Sequence, residues 1–299
     1  MVLYRKRTMR KVLAVTLILV LSLALVGCKK DKPKKTPTAP PGGHSTPVDF
    51  DIAPPPGFEE IPEDQRNATI MQAFYWEMNE ARSHRDYRKE FPKEANLWRL
   101  LAERAPEFEK MGLTGLWLPP ASKAMSGGYS VGYDVYDLWD LGEFDQKGTV
   151  RTKYGTRAEL DNAIKTLHAH GIAVYFDAVL NHRMGADKEE DVPLADGSTT
   201  RKLWTKFTFP GRKSEYYNAQ WNWEYFDGMD GSMFSGKNWD DCADDYLMGA
   251  DVDYQYEPVR KEIKAWGEWI INEVDFDGFR LDAVMHVDNG YIRDWLEHV

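Results

Sequence analysis

The chain has 299 residues, of which 42% are hydrophobic and 29% charged, and this allows one large globular domain or two small ones. Its formal net charge of −10 hides an asymmetry, because residues 1–35 carry +9 and the remainder therefore −19. A strongly acidic remainder of the chain argues against a nucleic-acid partner and is typical of a soluble exported protein, with cation binding as a further option.

The N-terminus has the pattern of an export signal. Basic residues precede an uncharged apolar run from Val12 to Val26, which ends in Gly27 and Cys28. The run is short for a membrane span, and residues 25–28 resemble the site at which bacterial lipoproteins are cut and lipidated. We therefore predict a lipoprotein-type signal peptide at 1–27 and a membrane anchor on lipidated Cys28. An uncleaved anchor helix is the alternative, and both interpretations place the protein outside the cytoplasm, lipid-anchored or secreted.

The next segment has the composition of a linker. Residues 29–62 are rich in Lys, Pro, Thr and Gly and have no helical or strand periodicity, so we predict a flexible tether over 28–67. If Cys28 carries a lipid, Cys242 has no partner, and no disulfide is predicted.

Strand and helix signals then alternate along the chain. Apolar, β-rich stretches occur at 68–76, 113–118, 172–180 and 276–283, and helical spacing of apolar residues precedes each of the last three. The helix before the third strand begins with a capping box, Thr156 and Glu159. This alternation predicts parallel strands with crossover helices, as in a (β/α) barrel or a doubly wound sheet. A barrel is favoured because no GxGxxG fingerprint follows the first strand.

The alternation of strand and helix signals stops after the third strand. Residues 183–250 are rich in Trp, Tyr, Asp and Gly, and a structureless loop of that length is improbable. We predict a small β-rich domain inserted here, between barrel segments at 68–182 and 251–299.

The segment from Asp277 to His286 carries the most specific chemistry. Arg280 and Asp282 are two residues apart on an apolar strand, so their side chains share a face. A neighbouring guanidinium stabilises the charged form of a carboxylate, which suits a nucleophile rather than a general acid. A structural ion pair at a strand end is the alternative.

Four segments together resemble the motifs of the α-amylase family of retaining glycoside hydrolases: 112–120 with 132–138, 177–182, 244–253, and 277–286. The resemblance implies an α/β protein with a (β/α)8 TIM barrel, of which we expect only the N-terminal half here. The general-acid glutamate of the family is expected beyond Val299, so the chain itself is expected to be inactive. The match over 145–155 favours the bacterial liquefying α-amylases.

The resemblance also implies roles for individual residues. Asp282 would be the nucleophile, with Arg280 holding it ionised and Asp177 supporting Arg280. Tyr133 would stack on the sugar ring, and His182 and His286 would contact the sugar. The family usually has lysine where this chain has Met285, which puts the product pattern in doubt.

A calcium site is implied by the same resemblance, since calcium prefers several oxygen ligands. The expected ligands are Asn181, Asp245, Asp251 and the backbone oxygen of His286. A second metal cluster would use three further acids, for which a solvated acidic loop is the alternative: Asp227, Asp240 and Asp253.

The predicted function is hydrolysis of internal α-1,4-glucosidic bonds in starch or maltooligosaccharides by a retaining, Ca²⁺-dependent mechanism. A transglycosylase of the same family, and a non-catalytic glycan-binding surface lipoprotein, are the alternatives.

Overall fold

The structure is a computed structural model that describes residues 68–75, 96–217 and 220–299. The predicted signal peptide, the tether and Cys28 lie outside these residues. Within the described part of the chain, no helix is both long and apolar enough to cross a membrane.

The elements in chain order are β1 (Ile70–Gln72), α1 (Leu97–Lys110), β2 (Gly115–Trp117), β3 (Lys123–Ala124), β4 (Val135–Asp137), α2 (Arg157–Ala169), β5 (Ala173–Ala178), β6 (His182–Arg183), β7 (Lys188–Pro193), β8 (Thr200–Lys206), β9 (Phe226–Met229), β10 (Ser232–Met233), β11 (Ala250–Val252), α3 (Glu257–Asn272), β12 (Gly278–Leu281) and α4 (Asn289–His298). Single helical turns occur at Gly127–Tyr129, Trp223–Tyr225 and Val284–His286.

A four-stranded parallel sheet positions the candidate site. Its strand order is β1-β2-β5-β12, and α1, α2 and α3 connect successive strands. This is the predicted α/β alternation, and parallel strands need such crossovers. Among the described strands the sheet is open, with β1 and β12 at its edges and no closed barrel.

The start of α2 shows how local sequence sets these elements. The Thr156 hydroxyl accepts from the Glu159 backbone N–H at 3.3 Å, and the Glu159 carboxylate accepts from the Thr156 backbone N–H at 2.8 Å. The predicted capping box is therefore confirmed. Gly171, at φ +70°, follows the helix and turns the chain into β5, because an L-residue with a side chain disfavours that conformation.

Aromatic packing joins the sheet to the helices behind it. Phe176 of β5 packs edge-on against Trp266 of α3 with ring centroids 5.3 Å apart, and Phe279 of β12 packs against Trp295 of α4 at 4.9 Å. All four side chains are buried. Buried rings of this size contribute much of the apolar surface that stabilises a domain, so these pairs hold the sheet against its helices.

Between β5 and α3 the chain leaves the parallel sheet. It forms an antiparallel sheet in the order β10-β9-β11-β6 and the separate hairpin β7-β8. A buried ion pair ties this excursion to the segment after β2, since Arg212 Nε lies 2.7 Å from Asp137 Oδ2. The excursion is rich in strands; its limits as a domain, 183–250, and those of the other predicted domains stay predictions.

Candidate active site

Three charged side chains meet at the carboxyl ends of β5 and β12. Arg280 pairs with Asp177 in the parallel register, and its Nη1 donates to Asp177 Oδ1 at 2.8 Å and to Asp282 Oδ1 at 2.5 Å. Asp177 is fully buried, whereas the Asp282 side chain is 18% exposed. One guanidinium nitrogen thus bridges two carboxylates, and of these two carboxylates only that of Asp282 is accessible to solvent. The predicted neighbourhood of Arg280 and Asp282 is present.

Two aromatic residues complete the surroundings of Asp177. Its Oδ2 accepts from the Trp117 indole N–H at 2.8 Å and from the Tyr133 hydroxyl at 2.7 Å. The Arg280 guanidinium lies over the Trp117 ring, 4.7 Å from its centroid. Tyr133 is half-buried beside Asp177 and Arg280, where a sugar ring could stack on it.

Burial and neighbouring charges shift the pKa values of Asp177, Arg280 and Tyr133. Burial raises the pKa of Asp177 to about 6, with Arg280 opposing this and Asp282 adding to it. The two carboxylates together raise the pKa of Arg280, although burial alone would lower it. The same Asp177 carboxylate, after burial, raises the pKa of Tyr133, which therefore stays a neutral donor. The arrangement holds a permanent cation against the exposed Asp282 carboxylate.

His182 lies close to these groups, with its ring against the backbone of Tyr133. It is 1% exposed, and its Nε2 lies 2.9 Å from the Tyr133 carbonyl oxygen. Burial lowers the pKa of His182, so the ring is neutral and its one N–H donates to that carbonyl. The predicted donation to a sugar hydroxyl would need a different tautomer or ring position, and the contact stays a prediction.

The turn after Asp282 is held by a neighbouring segment. Ala283 has φ +46°, and the helical turn Val284–His286 follows it. The Ala243 backbone N–H donates to the Met285 carbonyl at 3.2 Å, and the His286 ring contacts the Asp244 carbonyl. We call residues 240–245 the strap. The His286 side chain is turned toward the strap, and its predicted contact with sugar remains a prediction.

Next to the strap lies a cluster of acids. Carboxylate oxygens of Asp227, Asp245 and Asp251 all lie within 4.8 Å of one another. Both Asp227 oxygens, one oxygen each of Asp251 and Asp240, and the Asn181 amide oxygen are buried and have no hydrogen-bond partner among the described residues. Burial, followed by mutual repulsion, raises the pKa of Asp227 to about 10 and that of Asp251 to about 9. Unpaired buried oxygens in an all-oxygen set fit a hard cation such as Ca²⁺.

The structure groups the predicted metal ligands differently from the sequence. Asp227, assigned to a second cluster, lies with Asp245 and Asp251 of the first. Asp253, also assigned there, forms an ion pair with Lys237 at 2.7 Å and accepts from the Gln255 backbone N–H at 2.8 Å.

Asp240 connects the two groups. Its backbone N–H donates to Asp245 at 2.7 Å, and its own carboxylate accepts from the Tyr254 backbone N–H at 3.4 Å. Asp240 is therefore held next to Asp245, whereas Asp253 pairs with Lys237, and the ligand roles of these acids stay predictions.

The site thus places two carboxylates, an arginine and aromatic rings at the carboxyl ends of parallel strands, the edge at which α/β folds carry their ligand and active sites. The family described as alpha amylase, catalytic domain, matches residues 98–295, and the chain belongs to this family.

Several known proteins are similar to this chain. The alpha-amylase of Bacillus licheniformis is 44% identical over 259 residues, covering 78% of this chain and 48% of that protein. The cytoplasmic alpha-amylase of Escherichia coli (strain K12) is 40% identical over 264 residues, covering 78% and 51%. Among solved structures, an alpha-amylase from Geobacillus thermoleovorans complexed with acarbose has a TM-score of 0.47 at 22% identity, covering 72% and 41%. The chain spans about half the length of the curated relatives it matches.

Sequence reasoning missed Trp117 as a member of this site. Its position at the carboxyl end of β2, level with the polar ends of β5 and β12, is the one signal that could have indicated it.

Proposed function

We propose that the whole protein hydrolyses internal α-1,4-glucosidic bonds in starch-like glucans by a retaining double displacement. The observation that carries the proposal is the Arg280 Nη1 bridge between the fully buried Asp177 and the partly exposed Asp282. Family membership and relatives named alpha-amylase support the substrate class. The four parallel strands would be the first half of a (β/α)8 barrel.

In the proposed first step, the Asp282 carboxylate attacks the anomeric carbon while the bond to the leaving oxygen breaks and that oxygen takes a proton from an acid. A covalent glycosyl ester forms on Asp282, and water then cleaves it. Arg280 places its positive charge beside the Asp282 carboxylate and, by binding Oδ1, leaves the other oxygen free to attack. Tyr133 offers a ring face to the sugar.

The acidic cluster would hold Ca²⁺ through Asp227, Asp245, Asp251 and the Asn181 amide oxygen. A bound divalent cation supplies the positive charge that lets neighbouring carboxylates ionise together. We also propose an extracytoplasmic location through lipidated Cys28.

The nucleophilic half of this mechanism can be tested alone, with an α-glucosyl fluoride that carries a second, ring fluorine to slow breakdown of the ester. Fluoride leaves without a proton donor, so only the nucleophile is needed. We expect the intact mass of the chain to rise by one glycosyl unit. Asp282→Asn should gain nothing, and Asp191→Asn, an exposed acid on β7, should label like the wild type. An unlabelled wild type, or a labelled Asp282→Asn, contradicts the assignment.

Starch is the second substrate to test. The chain of residues 28–299 should leave soluble starch intact, because no proton donor for the leaving glucan is assigned within it. Robust starch hydrolysis by this chain would show that a described residue already serves as the acid.

A further inference from the structure

We propose that Trp117 is a positioning residue for the nucleophile: its indole N–H and ring face fix the Asp177–Arg280 pair, and through that pair the carboxylate of Asp282. The proposal rests on the proposed role of Asp282 as nucleophile. It concerns a residue that touches no reacting atom and acts through its two neighbours.

The first contact is with the buried carboxylate. Trp117 ends β2 opposite Tyr175 of β5, so Asp177, two residues further along β5, lies diagonally across the same face. The indole N–H donates to Asp177 Oδ2 at 2.8 Å, which leaves Oδ1 for Arg280. Hydrogen bonds to a charged acceptor are stronger than neutral ones, and this one, together with that of the Tyr133 hydroxyl to the same oxygen, restrains the orientation of the Asp177 carboxylate.

The second contact is with the guanidinium. Arg280 lies over the Trp117 ring at 4.7 Å, and Phe74 packs edge-on against the same ring at 5.4 Å and 89°. Arginine stacks on aromatic faces while its edge stays free to donate, so the ring supports Arg280 while Nη1 faces two carboxylates. Trp117 therefore restrains both members of the ion pair that orients Asp282.

Another tryptophan makes the same two contacts away from the site. The Trp221 indole N–H donates to the buried Glu262 carboxylate at 2.8 Å, and the Arg183 guanidinium lies 4.9 Å from its ring centroid. Trp221→Phe therefore removes the same type of hydrogen bond and perturbs the same type of stacking as Trp117→Phe. It serves as the matched control for any general loss of stability.

The kinetic test measures the rate of labelling by the difluorinated α-glucosyl fluoride as a function of its concentration. In Trp117→Phe we expect the limiting rate to fall about tenfold, the effect of losing roughly one hydrogen bond's free energy, with the half-saturating concentration unchanged. Trp117→Leu, which also loses the ring face, should fall further, and Trp221→Phe should stay within about twofold of the wild type. Equal rates in Trp117→Phe and wild type, or an equal loss in Trp221→Phe, would overturn the proposal.

A spectroscopic test does not depend on reaction. NMR spectra of the ¹⁵N-labelled wild-type chain should show separate signals for the Arg280 Nη protons, because rotation of the guanidinium is restrained. These signals are assigned by their loss in Arg280→Lys. They should average together in Trp117→Leu and stay separate in Trp221→Phe. Averaged signals in the folded wild type would refute the positioning role. If the wild type does not label but these signals behave as expected, the proposed function fails, and only the restraint of Arg280 by Trp117 is supported.

Discussion

Removal of divalent cations should lower the stability of the chain by a measurable amount. Five buried oxygens around the acidic cluster have no hydrogen-bond partner: both of Asp227 and one each of Asp240, Asp251 and Asn181. Each such group costs about 1–3 kcal/mol, so without a cation the cluster costs up to about 5–15 kcal/mol, as much as the whole stability of a domain. Protonation of the carboxyls relieves part of this cost.

The measured difference then depends on ligand concentration. At about 100 times the dissociation constant, a cation that binds only the folded state adds about 2.7 kcal/mol. For a domain of this size, that corresponds to about 5–10 °C in Tm. We expect differential scanning fluorimetry to show this increase between chelator and excess Ca²⁺. Mg²⁺ should give a smaller one, because it prefers fewer protein ligands and retains its water.

Two variants make the calcium test specific. Asp227→Asn removes a carboxylate with both oxygens unpartnered and should lose most of the Ca²⁺ response. Asp191→Asn changes an acid whose side chain is 68% exposed and should keep the full response. Identical melting curves in chelator and Ca²⁺, or a full response in Asp227→Asn, would refute the reasoning about this cluster.

Two further predictions concern buried charges elsewhere. Arg212→Met should lower the free energy of unfolding by about 3–5 kcal/mol, because it leaves the buried Asp137 carboxylate without its cation. Lys202→Met, which breaks an exposed pair with Asp191, should cost less than about 1 kcal/mol, and urea titration of both variants checks the contrast. Burial raises the pKa of Glu262 to about 7, so the folded state retains a proton that the unfolded state loses near the ordinary glutamate pKa of 4.5. Stability should therefore fall as pH rises from about 4.5 to 7, and Glu262→Gln should flatten that part of a urea-midpoint profile; an unchanged slope would contradict it.

Local periodicity was sufficient to predict the elements of the parallel sheet. The apolar spacing of Val259, Ile263, Trp266 and Ile270 gave α3, and all four side chains are buried. Strand limits were less accurate, since the stretch 113–118 was predicted and only Gly115–Trp117 pairs with both neighbours. Pairing depends on partners distant in sequence, which a local apolar pattern does not contain.

The grouping of acids could not be predicted for the same reason. In the antiparallel pairing of β9 with β11, Gly228 lies opposite Asp251 and Phe226 lies opposite Val252, so Asp227 is the extra residue of a β-bulge beside Asp251. In a regular ladder Asp227 would point to the other face of the sheet, and a local sequence pattern does not reveal such a bulge. The role of Trp117 was hidden similarly, because an aromatic residue at the end of an apolar strand is typical of a core, and its carboxylate partner is 60 residues away.

The acidic cluster and the proposed nucleophile are mechanically connected by the strap. Asp245 belongs to the cluster, and its carboxylate accepts the Asp240 backbone N–H at 2.7 Å. Between these two residues, the Ala243 backbone N–H donates to the Met285 carbonyl at 3.2 Å. Met285 lies three residues after Asp282, on the turn that ends the strand. A cation that fixes Asp245 therefore also fixes the strap against this turn. Its loss should disturb the orientation of Asp282 as well as the stability of the fold, so labelling by the glycosyl fluoride should slow in chelator even below the temperature at which the chain unfolds.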